Sequence, residues 1–367
     1  MNKKDLEFLK ALTEAPSPSG FEAPAARILR ERLASTADTV ETNVLGSVHA
    51  TLKGTGAAPS VMIAGHIDEV GMMVKYISDE GFISFEAIGG VDAAILPGTR
   101  VNVYATGDAN ASKGTETGCG ALLRGVMGRK PIHLIDPDER KKVTSADKLF
   151  IDVGLDGKEA KRRIRIGDAI TYGVGFEEFG DGYAVARAFD DKLGVWIAVR
   201  VLEEVKKAGR ARCDVIAAGT VQEEIGLRGG VTSAYGVNPV IGISAEVGHA
   251  TDYPDIDKRK HGEAVCGKGP IIARGPNINP LLFERLIDAA AKTKSTYQIG
   301  PEARATGTDA NAIQLSRGGK VAGLVSIPLR YMHTPTEVLK LADLDHAIRI
   351  LTRFVLDLDE SADFIPR

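Results

Sequence analysis

The sequence predicts an α/β sandwich with a largely buried mixed sheet, interrupted by a small inserted β domain. Three observations lead there. Short apolar runs alternate with amphipathic helical stretches over most of the chain, the pattern of strands covered by helices. From Tyr76 to Gly167 that alternation gives way to short β-rich runs and many glycines. A length of 367 residues also exceeds what one compact core comfortably holds. The expected division is a main domain of residues 1–75 and 168–367 with residues 76–167 inserted.

The elements follow in order. Leu6, Leu9 and Leu12 recur at helical spacing until Pro16 and Pro18 stop the helix, and a second helix runs from about Glu22 to Ser35. Val61 to Gly65 and Gly71 to Ile77 read as strands on either side of His66-Ile67-Asp68-Glu69. The insert carries strand-like runs at Phe82 to Ala87, Val101 to Ala105 and Lys148 to Val153. Beyond it come a helix from Lys192 to Lys207, a strand from Asp214 to Val221 and another from Val240 to Ala245. A helix from about Leu281 to Thr293, a strand from Val321 to Ile327 and a helix from about Leu344 to Leu358 complete the alternation.

Composition removes several function classes. A net charge of -3, with no basic block beyond the few residues around Lys161 to Arg165, speaks against nucleic acid and anionic membrane as partners. Met1 to Glu14 is charged and amphipathic, and no apolar run approaches ~18 residues, so neither secretion nor membrane spanning is expected. The three cysteines, Cys119, Cys213 and Cys266, are widely separated and lack zinc-knuckle or disulfide spacing, which fits a reducing cytoplasm and a bystander role.

Chemistry-bearing residues cluster where an α/β sheet presents its loops. His66 and Asp68 follow one strand, Glu223 and Glu224 a second and Glu246 a third, while His333 lies just beyond a fourth and Asp190-Asp191 opens a helix. Nitrogen and oxygen donors without thiolates suit hard-to-borderline divalent ions: zinc, cobalt or manganese. Each piece also has a plainer reading. His66-Ile67-Asp68 alone makes a strand-end turn, and Asp190-Asp191 alone makes a helix cap. Glu223-Glu224 alone is a solvated pair, and Glu246 and His333 are satisfied polar groups at a core edge.

Together, His66-Ile67-Asp68-Glu69-Val70-Gly71, Asp190-Asp191-Lys192-Leu193-Gly194, Glu223-Glu224-Ile225-Gly226-Leu227-Arg228-Gly229 and Arg330-Tyr331-Met332-His333-Thr334-Pro335-Thr336-Glu337 resemble, in order, the M42 family of metallo-aminopeptidases. Lys130-Pro131-Ile132-His133, Glu139-Arg140 and Gly307-Thr308-Asp309-Ala310 extend the resemblance over nearly the whole chain. It implies a zinc-exopeptidase-like catalytic domain with a small β-barrel or PDZ-like dimerisation insert, and dimers assembling into a twelve-subunit particle. By the same resemblance two divalent ions, zinc or cobalt with manganese as an alternative, are expected. Asp190 bridges them, His66 and Glu246 complete one shell, and Glu224 and His333 the other. Glu223 is then the catalytic base, and Asp68 accepts the second ring N–H of His66. This chain has Glu246 where the family commonly carries aspartate. His249, three positions on, stays outside the implied ligand set, and Thr308-Asp309 is a candidate stretch of the substrate pocket.

The resemblance thus implies stepwise removal of N-terminal residues from peptides by a metal-activated water. Three alternatives stand beside it: deacylation of N-acyl amino acids, sugar cleavage by paired carboxylates, and a metal-binding scaffold without turnover.

Overall fold

The computed structural model describes residues 1–107 and 120–367. Its centre is an eight-stranded mixed sheet. Four parallel strands form the middle, in the order Cys213–Thr220, Ala58–His66, Ile241–His249 and Val321–Leu329. Val48–Leu52 and Thr39–Thr42 extend one side antiparallel, and Ile271–Arg274 and Gln298–Pro301 extend the other. Nearly every residue of the four central strands is buried, as expected where helices cover both faces.

The helix Phe189–Lys207 lies against this sheet with both ends of its apolar stripe buried, Leu193, Trp196 and Leu202 included. A Leu193→Ala change there would cost about 2–5 kcal/mol. Its approach is unusually close. A Cβ on Gly65 would sit 2.1 Å from the Val195 nitrogen, and one on Gly194 would sit 1.9 Å from the Ala245 carbonyl oxygen. The helix therefore touches two strands backbone to backbone, at the residues next to His66 and Glu246.

The insert is a closed barrel in the order Gly71–Ile77, Ile83–Ile88, Phe150–Asp152, Ala121–Gly128, Arg100–Ala105 and Ala169–Tyr172. Met72, Val74, Val103, Ile151 and Ile170 fill it. Its strands extend past the expected 76–167 at both ends, because the first and last pair with each other, Met72 opposite Ile170, to close the cylinder. A third, three-stranded sheet, Glu177–Phe179, Tyr183–Ala186 and Glu337–Lys340, sets Ala186 opposite Glu337. No helix among the described residues is long and apolar enough to cross a membrane. Cys213 and Cys266 are buried free thiols, and burial pushes them up to about 11 and about 12; Cys119 lies outside the described residues.

Candidate metal centre

The carboxyl edge of the four parallel strands is where the expected residues meet. His66 ends its strand opposite Thr220, and Glu223 and Glu224 follow three and four residues beyond Thr220, with a turn beginning at Glu224. Glu246 does not follow its strand, as the sequence suggests, but lies inside it, opposite Ser326 and 3% exposed. The apolar run ended at Ala245 in sequence only because an acidic residue is itself a core-facing member of the strand.

Asp190 holds the middle. Its Oδ1 lies 3.1 Å from His66 Nε2 and its Oδ2 3.2 Å from His333 Nε2. Glu224 Oε2 is 3.3 Å from the same His333 nitrogen, and Glu223 Oε2 is 3.8 Å from His66 Nε2. Donor atoms of His66, Asp190 and Glu224 fall within 4.8 Å of one another, as do those of His66, Glu223 and Glu246. The two aspartates differ: Asp190 faces the imidazoles, while Asp191 caps the helix by accepting the Gly194 N–H at 3.0 Å and also accepts the His66 N–H at 3.2 Å. Neither has helical φ/ψ.

Two further buried carboxylates hold the backbone of this cluster. Asp68 Oδ1 accepts the Glu223 N–H at 3.0 Å, and Oδ2 accepts the Glu224 N–H at 3.1 Å and the Ser19 hydroxyl at 2.6 Å. The expected partner of the second His66 ring nitrogen was the Asp68 carboxylate; Nδ1 lies nearer the Asp68 carbonyl oxygen, 3.1 Å against 3.4 Å to Oδ1, because the carboxylate is turned toward the Glu223-Glu224 loop. Glu337 was missed by sequence reasoning. It accepts the Asp190 N–H at 3.1 Å and the His333 N–H at 2.8 Å. Its signal was present only as the last residue of the His333 motif. The ring of His333 is fixed from the barrel side, Nδ1 lying 3.1 Å from the carbonyl oxygen of Gly90.

Beneath the His66 loop lies a fully buried ionic group. Glu69 meets Arg187, Lys192 Nζ at 3.1 Å and the Ser17 N–H at 2.9 Å, and Lys192 donates to the Ala15 carbonyl at 2.6 Å. Glu69 thereby ties the chain before the second helix to both the His66 loop and the Asp190 helix.

The electrostatics of the cluster call for positive charge. Burial pushes Glu223 up to about 8, with Asp309, Glu224 and Asp190 adding to it and His66 opposing. Burial likewise raises Glu246 well above the carboxylate range. His333 is lifted to about 11 by its contacts with Asp190 and Glu224. Glu224 Oε1 is buried with no hydrogen-bond partner. An orphaned buried oxygen in a convergent set of carboxylates and imidazoles fits divalent cations.

The site opens into a cavity of about 580 Å³, whose wall includes His249, Ile271, Ile299, Glu302, Thr306 and Thr308. His249 is exposed there, and Thr308 lines the space. Asp309 does not: it is fully buried behind the cluster, accepting the Thr220 hydroxyl at 2.6 Å.

This fold and this donor set define a class: an α/β protein with side chains suited to hold divalent cations at the carboxyl edge of its sheet. The M42 glutamyl aminopeptidase family matches residues 46–350, and the chain belongs to that family of peptide-bond hydrolases. It is 32% identical to a lysyl aminopeptidase of Pyrococcus furiosus, with 99% of each chain covered. The structure resembles a TET aminopeptidase from the marine sediment archaeon Thaumarchaeota archaeon SCGC AB-539-E09, at 33% identity, 97% coverage of each chain and a TM-score of 0.89. It also resembles the Pyrococcus horikoshii TET1 peptidase, which can assemble into a tetrahedron or a large octahedral shell, at 28% identity, TM-score 0.81, and coverage of 96% of this chain and 100% of that one.

Proposed function

We propose that this chain removes residues one at a time from the N-terminus of peptides, using two divalent ions held by five side chains. His66, Glu246 and Asp190 would hold one ion, and Glu224, His333 and Asp190 the other. The observation that carries the reading is the pair of Asp190 oxygens, one turned to each imidazole, which is what a bridging carboxylate requires. Bound zinc, cobalt or manganese would supply Lewis acidity and bring the pKa of water down toward neutrality.

Glu223 is the proton carrier. Its Oε2 stands 3.8 Å from His66 Nε2, at the edge of the donor set, and with cations offsetting the surrounding negative charge it is ionised and can accept a proton from the attacking water and return it to the leaving amine. Asp68 fixes that carboxylate by holding the backbone N–H of Glu223 itself. Glu337 does the same for Asp190 and His333. Restriction to the first residue is supported by family membership.

A second reading has its own support, since Glu223 lies in one donor group with His66 and Glu246 and could ligate instead. Glu223→Gln separates the two. As a base, its loss leaves two ions per chain by metal analysis and lowers kcat on aminoacyl anilides by about 10²–10⁴-fold. As a ligand, its loss removes an ion. Full turnover in the variant would overturn both. Comparing unblocked peptides, N-acyl amino acids and cellulose decides between peptidase, deacylase and glycosidase chemistry, and a chain inert toward all three would be a scaffold.

We propose a homo-oligomer as well, with dimers building a dodecamer. Full-length likeness to the TET1 peptidase supports it, as do apolar barrel side chains left on the surface, Tyr76, Leu122 and Val126 among them. A monomer mass by light scattering would count against it.

A further inference from the structure

The substrate preference of the cavity is legible in its charge. Among the described residues that line it there is no lysine or arginine. Glu302 stands on its wall, half-buried, and its carboxylate makes no hydrogen bond or ion pair with any described residue. Glu263, the other acid on the wall outside the metal-type cluster, differs in being matched by Lys258 Nζ at 2.5 Å. Burial raises Glu302, opposed by His249, so ionisation there is improved by an incoming cation.

The position is rigid. The Glu302 N–H donates to the Arg274 carbonyl at 2.9 Å, continuing the strand pair in which Arg274 lies opposite Pro301. Gly275 passes so close that a Cβ there would stand 1.8 Å from the Glu302 carbonyl oxygen. Ile271, Ile299, Leu324 and Met332 give the wall of the same cavity apolar surface.

We infer, building on the aminopeptidase reading, that Glu302 selects peptides whose N-terminal side chain is basic, lysine or arginine. The methylene stem of such a side chain covers the apolar wall while its charged end reaches the unpaired carboxylate, the arrangement long basic side chains adopt on mixed surfaces. An acidic side chain meets Glu302 with like charge and finds no lysine or arginine on the wall. A charged hydrogen bond of this kind corresponds to about 10- to 100-fold in affinity.

The test is kcat/KM on lysyl, arginyl, leucyl and glutamyl p-nitroanilides with metal-loaded wild type, Glu302→Gln and Glu302→Lys. Calorimetric binding of a lysyl and a leucyl peptide to Glu223→Gln and to Glu223→Gln with Glu302→Gln supplies a readout without turnover. The expected result is a wild-type preference for lysine and arginine over leucine and glutamate. The lysine-to-leucine ratio should fall roughly tenfold or more in Glu302→Gln, in turnover and in binding, and Glu302→Lys should shift preference toward glutamate. Leucine or glutamate preferred by wild type, or an unchanged ratio in the variants, overturns the inference while leaving the aminopeptidase reading intact. Cleavage of none of the four anilides overturns the aminopeptidase reading and the inference with it.

Discussion

The two halves of the metal-type cluster are held by the same device but in unlike surroundings. On the His66 side a buried carboxylate, Asp68, grips the Glu223 and Glu224 backbone, and on the His333 side another, Glu337, grips Asp190 and His333. His66 is 2% exposed and belongs to the central sheet, with the Glu69 ion group packed below it. His333 is 32% exposed by its side chain, and its ring is turned by Gly90, a residue that follows a barrel strand. One half is therefore a product of the core, and the other needs the two domains in register.

The largest effect should come from the residue both halves share. Asp190→Ala is expected to lose both ions and all turnover, checked by metal analysis of the purified chain; one ion retained at full occupancy would show that the halves are independent. Next come the two grips, where loss of a group supporting ligands typically costs 10–100-fold in metal affinity or activity. Asp68→Ala should depress kcat through Glu223 and weaken one ion through Glu224, while Glu337→Ala should weaken both ions through Asp190 and His333. Equal effects of both variants on kcat and ion affinity would erase the distinction.

A third test probes the His66 side by pH. Glu22 accepts the Gly20 N–H at 2.8 Å and the Gln222 N–H at 3.2 Å, and burial raises it to about 7. A carboxyl raised in the folded state favours folding while protonated in both states and loses that advantage as pH climbs from its usual 4.5 through about 7. Glu22→Gln should therefore gain stability relative to wild type across that window, by at most about 3 kcal/mol. Chemical denaturation at several pH values reads the difference, and a flat difference refutes it. The smallest change tests the His333 side: a Cβ on Gly90 would lie 3.0 Å from His333 Nδ1, so Gly90→Ala should weaken one ion severalfold and leave the other untouched.

The same contrast explains what could be seen in sequence. His66, Asp190, Glu223 and His333 sit at ends of elements, where a polar residue interrupts an apolar pattern and so announces itself. Glu246 also interrupts an apolar run, but the strand continues past it with the side chain inward, so the interruption read as a strand end. Asp68 and Glu337 act on backbone N–H groups, and no spacing rule links Glu337 to Asp190, 147 residues away. The strands Ile271–Arg274 and Gln298–Pro301, which carry the cavity wall, have four residues each, too few for an alternating pattern to declare itself. The barrel was visible as a change of texture, but its closing pair lay outside the texture because Gly71–Ile77 and Ala169–Tyr172 are as apolar as the main sheet.

Gly65 and Gly194 leave a final consequence. Two absent methyl groups set the gauge between the helix bearing Asp190 and two strands, Gly65 toward the strand ending in His66 and Gly194 toward the strand carrying Glu246. The separation of the His66 imidazole and the Asp190 carboxylate is thus set by the backbone of the scaffold. In the proposed ligand set, accommodation of ions of different radius would fall to side-chain reach, and Glu246, a glutamate projecting from the middle of a strand, would be the adjustable arm.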